Sequence, residues 1–167
     1  MRREKFLVNS MLGNLARWLR LLGFDSKYLP HESDNELIEY ARREQRILLT
    51  KDRDLAEKAR RRGVNVLLLK GNRLETWLAT LSNRYGISLE IDPNLARCPH
   101  CNTPLQRVSA KALAELNIIT WKPPVEKGEY WICPKCRQVY WKGRHLKSIV
   151  SILNKAKKMS KFLGRST

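Results

Sequence analysis

Apolar positions in the first half of the chain follow two alternating patterns. Runs of mostly apolar residues at positions 6–8, 47–49 and 64–69 have the length of buried β-strands. After the first run, apolar residues recur at spacings of three and four, which is the period of an α-helix: Leu12, Leu15, Leu19 and Leu22. A glycine at position 23 then stands where helices commonly end. The pattern predicts a strand followed by a helix, repeated along the chain.

Turn and capping residues predict the remaining elements of this region. Ser33-Asp34-Asn35-Glu36 has the sequence of a capping box, which predicts a helix running to about Glu44. Further helices are predicted after residues 50–54 and over 74–81, with short strands at 27–29 and 88–91. Strands that alternate with helices predict an α/β fold with a mainly parallel sheet, covered by helices on both faces.

The pattern changes after Asp92-Pro93-Asn94, where cysteine pairs and prolines replace the alternation. We therefore expect an α/β domain over residues 1–94, a cysteine module over 95–145, and a basic helix and tail over 146–167. The helical spacing of the apolar residues in the last part supports this division: Leu146, Ile149, Val150 and Leu153.

The charge of the chain is strongly positive. There are 33 lysines and arginines against 16 acidic residues, a formal net charge of +17. From residue 130 to the end, ten residues are lysine or arginine and none is acidic. This asymmetry favours a polyanionic partner. Nucleic acid is the expected partner, and an anionic membrane surface is the alternative.

No segment approaches the roughly 18 consecutive apolar residues that a membrane-spanning helix needs. The first nine residues also lack the apolar core of a signal peptide. We therefore expect a cytoplasmic protein that does not enter a membrane. In that compartment cysteines stay reduced, which favours metal binding over disulfide formation.

Two Cys-x-x-Cys knuckles predict a zinc ribbon. Cys98 and Cys101 form one knuckle, and Cys133 and Cys136 form the other after 31 intervening residues. Two such pairs complete a tetrahedral thiolate shell, so the expected zinc is structural and has no open coordination position. A thioredoxin-like redox pair is the alternative, but it would need only one motif. His100 is expected to be exposed or hydrogen-bonded rather than a ligand, and the linker is expected to turn around residues 121–124.

Aromatic residues of the ribbon alternate with basic ones between positions 130 and 144. They could stack on bases while the cations bind phosphates, or they could pack the ribbon against the first domain. The pattern leaves both interpretations open for four aromatic residues: Tyr130, Trp131, Tyr140 and Trp141.

Polar and acidic residues occur where predicted strands end or helices begin. Asn9 follows the first strand, Asp34 begins the second helix, and Asp52 and Asp54 follow the strand at 47–49. In a parallel sheet these positions converge at one edge, where oxygen ligands would suit Mg²⁺ or Mn²⁺. Such ions support phosphodiester cleavage. The alternative is that the aspartates only cap helices or favour helix N-termini through the helix dipole.

An ordered set of motifs resembles a known family. It comprises residues 6–25 (FLVNSMLGNLARWLRLLGFD), Asp34, residues 47–55 (ILLTKDRDL), residues 97–99 (RCP) and residues 139–145 (VYWKGRH). Together they resemble the Mut-seven C-terminal RNase family, which is similar to PIN-domain nucleases followed by a zinc ribbon. Over residues 5 to about 150, the resemblance implies a PIN-like three-layer α/β/α domain. It also implies metal-dependent cleavage of single-stranded or flexible RNA.

The resemblance assigns roles to the residues at the predicted sheet edge. It implies that Asp34, Asp52 and Asp54 hold a catalytic Mg²⁺ or Mn²⁺, with Ser10 and Thr50 as supporting hydroxyls. At the end of the first strand the family usually has aspartate, whereas this chain has Asn9. An amide offers an oxygen but no charge, so it would hold the ion less tightly. Either Asn9 is natural in a weakened or non-catalytic member, or it is a deliberate inactivating substitution.

The basic residues expected to contact RNA lie on the first helix, in the ribbon and in the tail: Arg17, Arg20, Lys142, Arg144, Lys147, Lys155, Lys157 and Lys158. Three hypotheses of function follow. The first is a metal-dependent endoribonuclease-type protein. The second is a non-catalytic factor that binds RNA, ribosomal RNA or the ribosome, and Asn9 favours it. The third is a zinc-ribbon protein that binds DNA, which leaves the aspartates unexplained. The sequence does not indicate an oligomeric state.

Overall fold

A computed structural model of the protein describes residues 4–116 and 128–163. The turn predicted around residues 121–124 lies outside these ranges. The first part of the chain contains four strands and four helices in alternation: β1 Lys5–Val8, α1 Gly13–Leu21, β2 Asp25–Tyr28, α2 Asp34–Arg43, β3 Ile47–Thr50, α3 Arg53–Arg61, β4 Val66–Leu68 and α4 Leu74–Tyr85. A second group follows: β5 Gln106–Val108, α5 Ala110–Glu115, β6 Tyr130–Ile132, β7 Val139–Trp141 and α6 His145–Leu163.

The first four strands form one parallel sheet in the order β2-β1-β3-β4. Val8, the last residue of β1, is in register with Tyr28 of β2 and with Leu49 of β3. The carboxyl ends of the strands therefore lie together at one edge. The predicted mixed α/β fold with a parallel sheet is confirmed.

Helices cover both faces of the sheet, and β1 shows the division. Phe6 and Val8 lie in a core cluster with residues of α1, α4 and α6, whereas Leu7 packs with residues of α2 and α3. Alternate residues of a strand point to opposite faces, so a strand buried on both sides is apolar throughout. This explains the continuous apolar runs of β1 and β3, and it confirms the three-layer arrangement.

The strand predicted at residues 88–91 is wrong. Ile87 and Leu89 are buried and Ser88 and Glu90 are exposed, which is the burial pattern of a half-buried strand. The segment nevertheless has no strand assignment, because the apolar side chains join the core cluster without backbone pairing to the sheet. Alternation predicts which side chains are buried, but it does not supply a neighbouring strand.

The C-terminal helix α6 packs against α4 of the first region. Leu153 and Ala156 of α6 are buried in the same core cluster as Phe6, and Asn83 Nδ2 donates a hydrogen bond to the Ser160 carbonyl oxygen at 3.0 Å. The helix begins where its apolar spacing predicted, and its apolar face completes the core beside α4. The division at residue 146 stays a prediction. None of the described helices is long and apolar enough to cross a lipid bilayer.

Candidate active site and zinc ribbon

The carboxyl ends of β1 and β3 form a topological switch point. These neighbouring strands lead into helices on opposite faces, since α1 packs on one side of the sheet and α3 on the other. The two connections diverge, and ligands of open α/β sheets bind in the crevice that such a divergence leaves. Asn9 follows β1 and Asp52 follows β3, so the fold brings both to this switch point.

Asn9 is buried at the switch point, with 6 % of its surface exposed. Its backbone N–H donates to the Leu49 carbonyl oxygen at 3.3 Å, and its Nδ2 donates to Thr50 Oγ1 at 2.9 Å. Among the residues that the structure describes, the side-chain oxygen Oδ1 is buried and has no hydrogen-bond partner. Buried acceptors are rarely left unpaired, so Oδ1 is available to accept a hydrogen bond or to bind a cation.

Thr50 and Ser10, the two predicted supporting hydroxyls, have different surroundings. Thr50 is fully buried, and its Oγ1 accepts hydrogen bonds from Asn9 and from the Asp52 backbone N–H at 3.0 Å. It therefore links the ends of β1 and β3. Ser10 is exposed in a 3₁₀ turn, and its carbonyl oxygen accepts from Tyr28 Oη at 3.0 Å.

Asp52 and Asp54 lie at the N-terminus of α3. Asp52 is the N-cap, and its Oδ1 accepts a hydrogen bond from the Leu55 backbone N–H at 3.0 Å. Asp54 is exposed in the first turn of the helix. The capping role considered for Asp52 from the sequence is thus present, and it uses one of the two carboxylate oxygens. The other oxygen remains available for a ligand.

Asp34 begins α2 and forms an ion pair with Lys58 of α3 at 2.8 Å between Nζ and Oδ2. The hydrogen bond and charge of Asp34 raise the pKa of Lys58, and the charges of Asp54 and Asp52 raise it further. The ammonium group therefore lies in the combined field of all three aspartates. Sequence analysis did not identify Lys58, because its spacing on α3 is that of an ordinary solvated lysine.

Asn9, Asp34, Asp52 and Asp54, called the sheet-edge site below, supply oxygen donors of the kind that hard divalent ions prefer. Their carboxylates are not gathered around one point. Within residues 4–116 and 128–163, the cysteines form the single group of three or more acidic, histidine or cysteine ligands whose atoms lie within 4.8 Å of one another. The four residues share one edge of the sheet, and Lys58 partners one of them.

The cysteines, in contrast, form a compact group. All four Sγ atoms lie within 4.8 Å of one another, with 3.9 Å between Cys98 and Cys136 and 3.4 Å between Cys101 and Cys133. Zinc–sulfur bonds of about 2.3 Å in a tetrahedron separate sulfurs by about 3.8 Å. The donor set and its spacing therefore fit zinc.

The backbone of the two knuckles has the same form. Asn102 and Arg137, each directly after the second cysteine of its pair, have positive φ angles of 66° and 59°. Each knuckle also closes with a backbone hydrogen bond from this residue to the carbonyl oxygen of the first cysteine: Asn102 to Cys98 at 2.9 Å and Arg137 to Cys133 at 2.8 Å. This turn directs both sulfurs of a pair to one side.

The thiols influence each other's ionisation. Burial opposes ionisation of Cys101, but hydrogen bonds with Thr103 and Cys136 lower its pKa to about 6. The hydrogen bond with Cys101, together with burial, raises the pKa of Cys136 to about 12. Ionisation of one thiol thus opposes ionisation of its neighbour, whereas a divalent cation among them would stabilise every thiolate.

The first knuckle is fixed to the sheet by a buried polar network. Arg20 of α1 is 7 % exposed, and its guanidinium donates to the carbonyl oxygens of Ser26 at 2.8 Å, Pro99 at 2.6 Å and His100 at 3.3 Å. Burial lowers the pKa of Arg20, although the cysteine charges oppose this effect. Arg20 was predicted to bind RNA. Its guanidinium is instead buried and bound to the knuckle backbone, where it does not form part of the protein surface.

Asp25 of β2 is the second element of this network. Arg46 donates to both of its carboxylate oxygens at 2.8 and 3.1 Å, and Asn102 Nδ2 donates to Oδ1 at 2.7 Å. Burial alone would raise the pKa of Asp25, but the hydrogen bonds from Arg46 and Asn102 hold it at about 2. The Ser26 backbone N–H completes the contact by donating to Asn102 Oδ1 at 3.1 Å.

Comparison with known families identifies the chain. The family model of the Mut7-C RNAse domain matches residues 4–153. The chain belongs to this family. The match covers the parallel sheet, both knuckles and the first half of α6, so the two candidate sites lie within one family domain. No curated protein and no solved structure matches the chain.

Membership in the Mut7-C RNAse domain family supports a nuclease or RNA-related role and makes RNA the expected partner. The aromatic residues of the ribbon differ in their burial. Tyr130 and Trp131 are buried, and Trp131 Nε1 donates to Asn94 Oδ1 at 3.2 Å, so they pack the ribbon. Trp141 is 38 % exposed and lies at the surface.

The predicted RNA-binding cations of the Mut7-C RNAse domain also differ in their surroundings. Lys142 pairs with Glu129 at 3.1 Å, and Lys157 pairs with Glu90 at 2.8 Å. Such exposed pairs are weak and are easily exchanged for another anion. The other predicted cations are exposed: Arg17, Arg144, Lys147, Lys155 and Lys158.

Proposed function

We propose that this Mut7-C RNAse domain is a metal-dependent endoribonuclease-type protein of PIN-like architecture, and that Asn9 weakens its cleavage. One observation carries the proposal: Asn9 Oδ1 is a buried acceptor without a partner in the described structure, at the switch point where the ends of β1 and β3 diverge. The zinc ribbon and the basic face of α6 would hold the RNA.

Each residue of the sheet-edge site has a role in this proposal. Asn9 Oδ1 and the carboxylates of Asp34, Asp52 and Asp54 would hold Mg²⁺ or Mn²⁺. When bound, such an ion supplies a polarised water and stabilises charge on the phosphate. Thr50 positions Asn9 through its hydrogen bond with Nδ2, and it fixes the Asp52 backbone. Lys58 would pair with Asp34 when no ion is bound.

Four protein thiolates leave zinc no open coordination position, so its proposed role is to fold the ribbon. The knuckle network of Arg20, Asp25 and Asn102 would then fix the folded ribbon to the sheet, because its hydrogen bonds join α1 and β2 to the first knuckle.

A second candidate function is a factor that binds RNA, ribosomal RNA included, without cutting it. Two observations favour it: the amide at position 9 lacks the charge of a carboxylate, and Lys58 neutralises Asp34 at 2.8 Å. DNA binding by the ribbon would leave the unpartnered Asn9 oxygen unexplained.

Cleavage of a labelled single-stranded RNA in Mn²⁺ distinguishes the two candidates. Replacing Asn9 by Asp adds a negative charge at a poorly screened, buried position, so Asn9→Asp is expected to cleave faster than the parent. Adding Asp52→Asn is expected to remove the gain. Asparagine caps helices as well as aspartate does, so this control keeps the α3 cap and removes only the charge. If neither the parent nor Asn9→Asp cleaves the RNA, the result contradicts the enzyme and favours the binding function.

A further inference from the structure

A polar cavity of about 370 Å³ lies where α1, the end of β2 and the first zinc knuckle meet. We call it the knuckle cavity, and six residues line it: Gly13, Asn14, Arg17, Tyr28, Pro99 and His100. Arg17 and His100 are exposed, and no acidic residue is among these six. The charge and hydrogen-bonding groups of the lining therefore suit an anion.

The walls of the knuckle cavity are held in place from both sides. Tyr28 lies against the start of α1, because a Cβ atom at Gly13 would come within 2.9 Å of the tyrosine ring. The phenol is fixed further by its hydrogen bond to the Ser10 carbonyl oxygen. On the other side, Arg20 binds the carbonyl oxygens of Pro99 and His100. The knuckle is thereby attached to the same helix that carries Arg17.

Tyr28, which lines the knuckle cavity, lies on the strand next to the one that Asn9 follows. Tyr28 is in register with Val8, the residue before Asn9, and neighbouring strands lie about 4.8 Å apart. The β2 backbone at Tyr28 is therefore about one strand spacing from the end of β1. Both positions lie at the carboxyl edge of the same parallel sheet.

We propose that the knuckle cavity is an RNA subsite that binds a phosphodiester next to the sheet-edge site. Arg17 and His100 donate to the phosphate oxygens, and Tyr28 and Asn14 contact the ribose. The first zinc knuckle thus contributes a side chain to substrate binding in addition to folding the ribbon. This inference rests on the proposed RNA substrate, but it does not depend on cleavage.

Affinity of the zinc-loaded protein for a fluorescent single-stranded oligoribonucleotide, without added Mg²⁺ or Mn²⁺, tests the subsite. Arg17→Ala is expected to lower affinity about tenfold, as for loss of a hydrogen bond to a charged group. The slope of log affinity against log salt should fall by about 0.7, the value for one phosphate contact on a single strand. Arg60→Ala, which removes an exposed arginine from α3, is the matched control and should change neither quantity.

His100→Ala should also weaken binding, and zinc content and melting temperature are expected to stay unchanged because the side chain is exposed. In the double variant Arg17→Ala/His100→Ala, the two losses should be less than additive, since both groups hold one phosphate. Equal effects of Arg17→Ala and Arg60→Ala would overturn the subsite. Full affinity in His100→Ala would overturn the part assigned to the knuckle.

These outcomes are separate from the test of cleavage. Failure of Asn9→Asp to cut RNA would contradict the proposed enzyme and leave the binding results intact. Absence of any effect of Arg17→Ala, with Mn²⁺-dependent cleavage by Asn9→Asp, would contradict the subsite alone.

Discussion

The two candidate metal sites of this protein differ in how closely the fold brings their ligands together. The four cysteines already lie within 4.8 Å of one another, on knuckles held by matching backbone turns. The carboxylates of the sheet-edge site share one edge of the sheet, but one caps α3 and another pairs with Lys58.

This difference follows from the chemistry of the ligands. Four thiols around one point offer zinc a complete ligand shell with no open position, which fits a structural metal. Carboxylates at helix starts can instead cap the helix or pair with a lysine, as Asp52 and Asp34 do here. Their presence at one sheet edge therefore does not by itself indicate a bound metal. The zinc site is therefore expected to determine folding, and the sheet-edge site to determine activity.

The largest expected effect is that of removing zinc. Zinc binding to small modules contributes on the order of 10 kcal/mol, which the short strands β5–β7 cannot replace by packing. Chelation, or Cys133→Ser, should unfold the ribbon while β1–β4 stay folded. Hydrogen exchange of the two regions, with cobalt replacement to report the thiolate shell, measures this. Ribbon amides that stay protected without metal would contradict the structural role.

The next effect concerns the joint between the two regions. Asp25→Asn removes the close charged partner of the buried Arg46, and breaking such a pair commonly costs about 3 kcal/mol. Glu44→Gln is the matched control, since Glu44 pairs with the same guanidinium only at 3.8 Å and its side chain is 38 % exposed, and it should change stability little. Denaturant unfolding of zinc-loaded proteins measures both. Equal stability of the two variants would count against the joint.

The pH dependence of this joint has a defined sign. The pKa of Asp25 is about 2 in the folded protein against an ordinary value of 3.8, so its ionised form stabilises the fold. The stability difference between the parent and Asp25→Asn should be constant above about pH 4 and shrink as pH falls toward 2.

A smaller effect is expected from Lys58→Met, which removes the cation that competes for Asp34. Removing a positive charge near the ion reduces its repulsion, and because Lys58 is exposed the rise in Mn²⁺ affinity should be small. Arg61→Met is the control, because Arg61 is an exposed cation on the same helix that pairs with Glu57, at 3.9 Å, and not with Asp34. Manganese titration in the Asn9→Asp background compares them. A rise of the same size in both variants would mean that only the net charge matters.

The last prediction concerns the cations of α6, which are expected to affect RNA binding and its salt dependence but not folding or metal binding. Truncation before residue 155 would remove the buried Ala156, so Lys155→Gln/Lys158→Gln is the better test of charge. Loss of two phosphate contacts should reduce the salt slope of binding to single-stranded RNA by about 1.4. An unchanged slope would show that these lysines serve solubility alone.

Sequence alone predicted the features that depend on local spacing. The knuckles, the strand runs and the helix starts at Asp34 and Asp52 each occupy a few adjacent positions, and the parallel sheet follows from their alternation. The convergence of Asn9 and Asp52 could be expected because both follow neighbouring parallel strands.

The features that sequence missed depend on distant pairings. Arg20 meets Pro99 across 79 positions and Asn102 meets Asp25 across 77, and no local pattern marks these partners. The clearest available signal was Arg20 itself, a charged residue next to Leu19 on the buried side of α1. The strand predicted at residues 88–91 failed for a related reason, since pairing requires a partner that alternation does not specify.

Electron paramagnetic resonance titration of Mn²⁺ into the zinc-loaded protein tests the central claim most directly, namely that Asn9 lies in a divalent metal site at the switch point. We expect Asn9→Asp to bind Mn²⁺ more tightly than the parent, and Asn9→Asp/Asp52→Asn to lose that gain. Equal Mn²⁺ binding by all three proteins would contradict the claim, and the aspartates would then be helix-start residues alone.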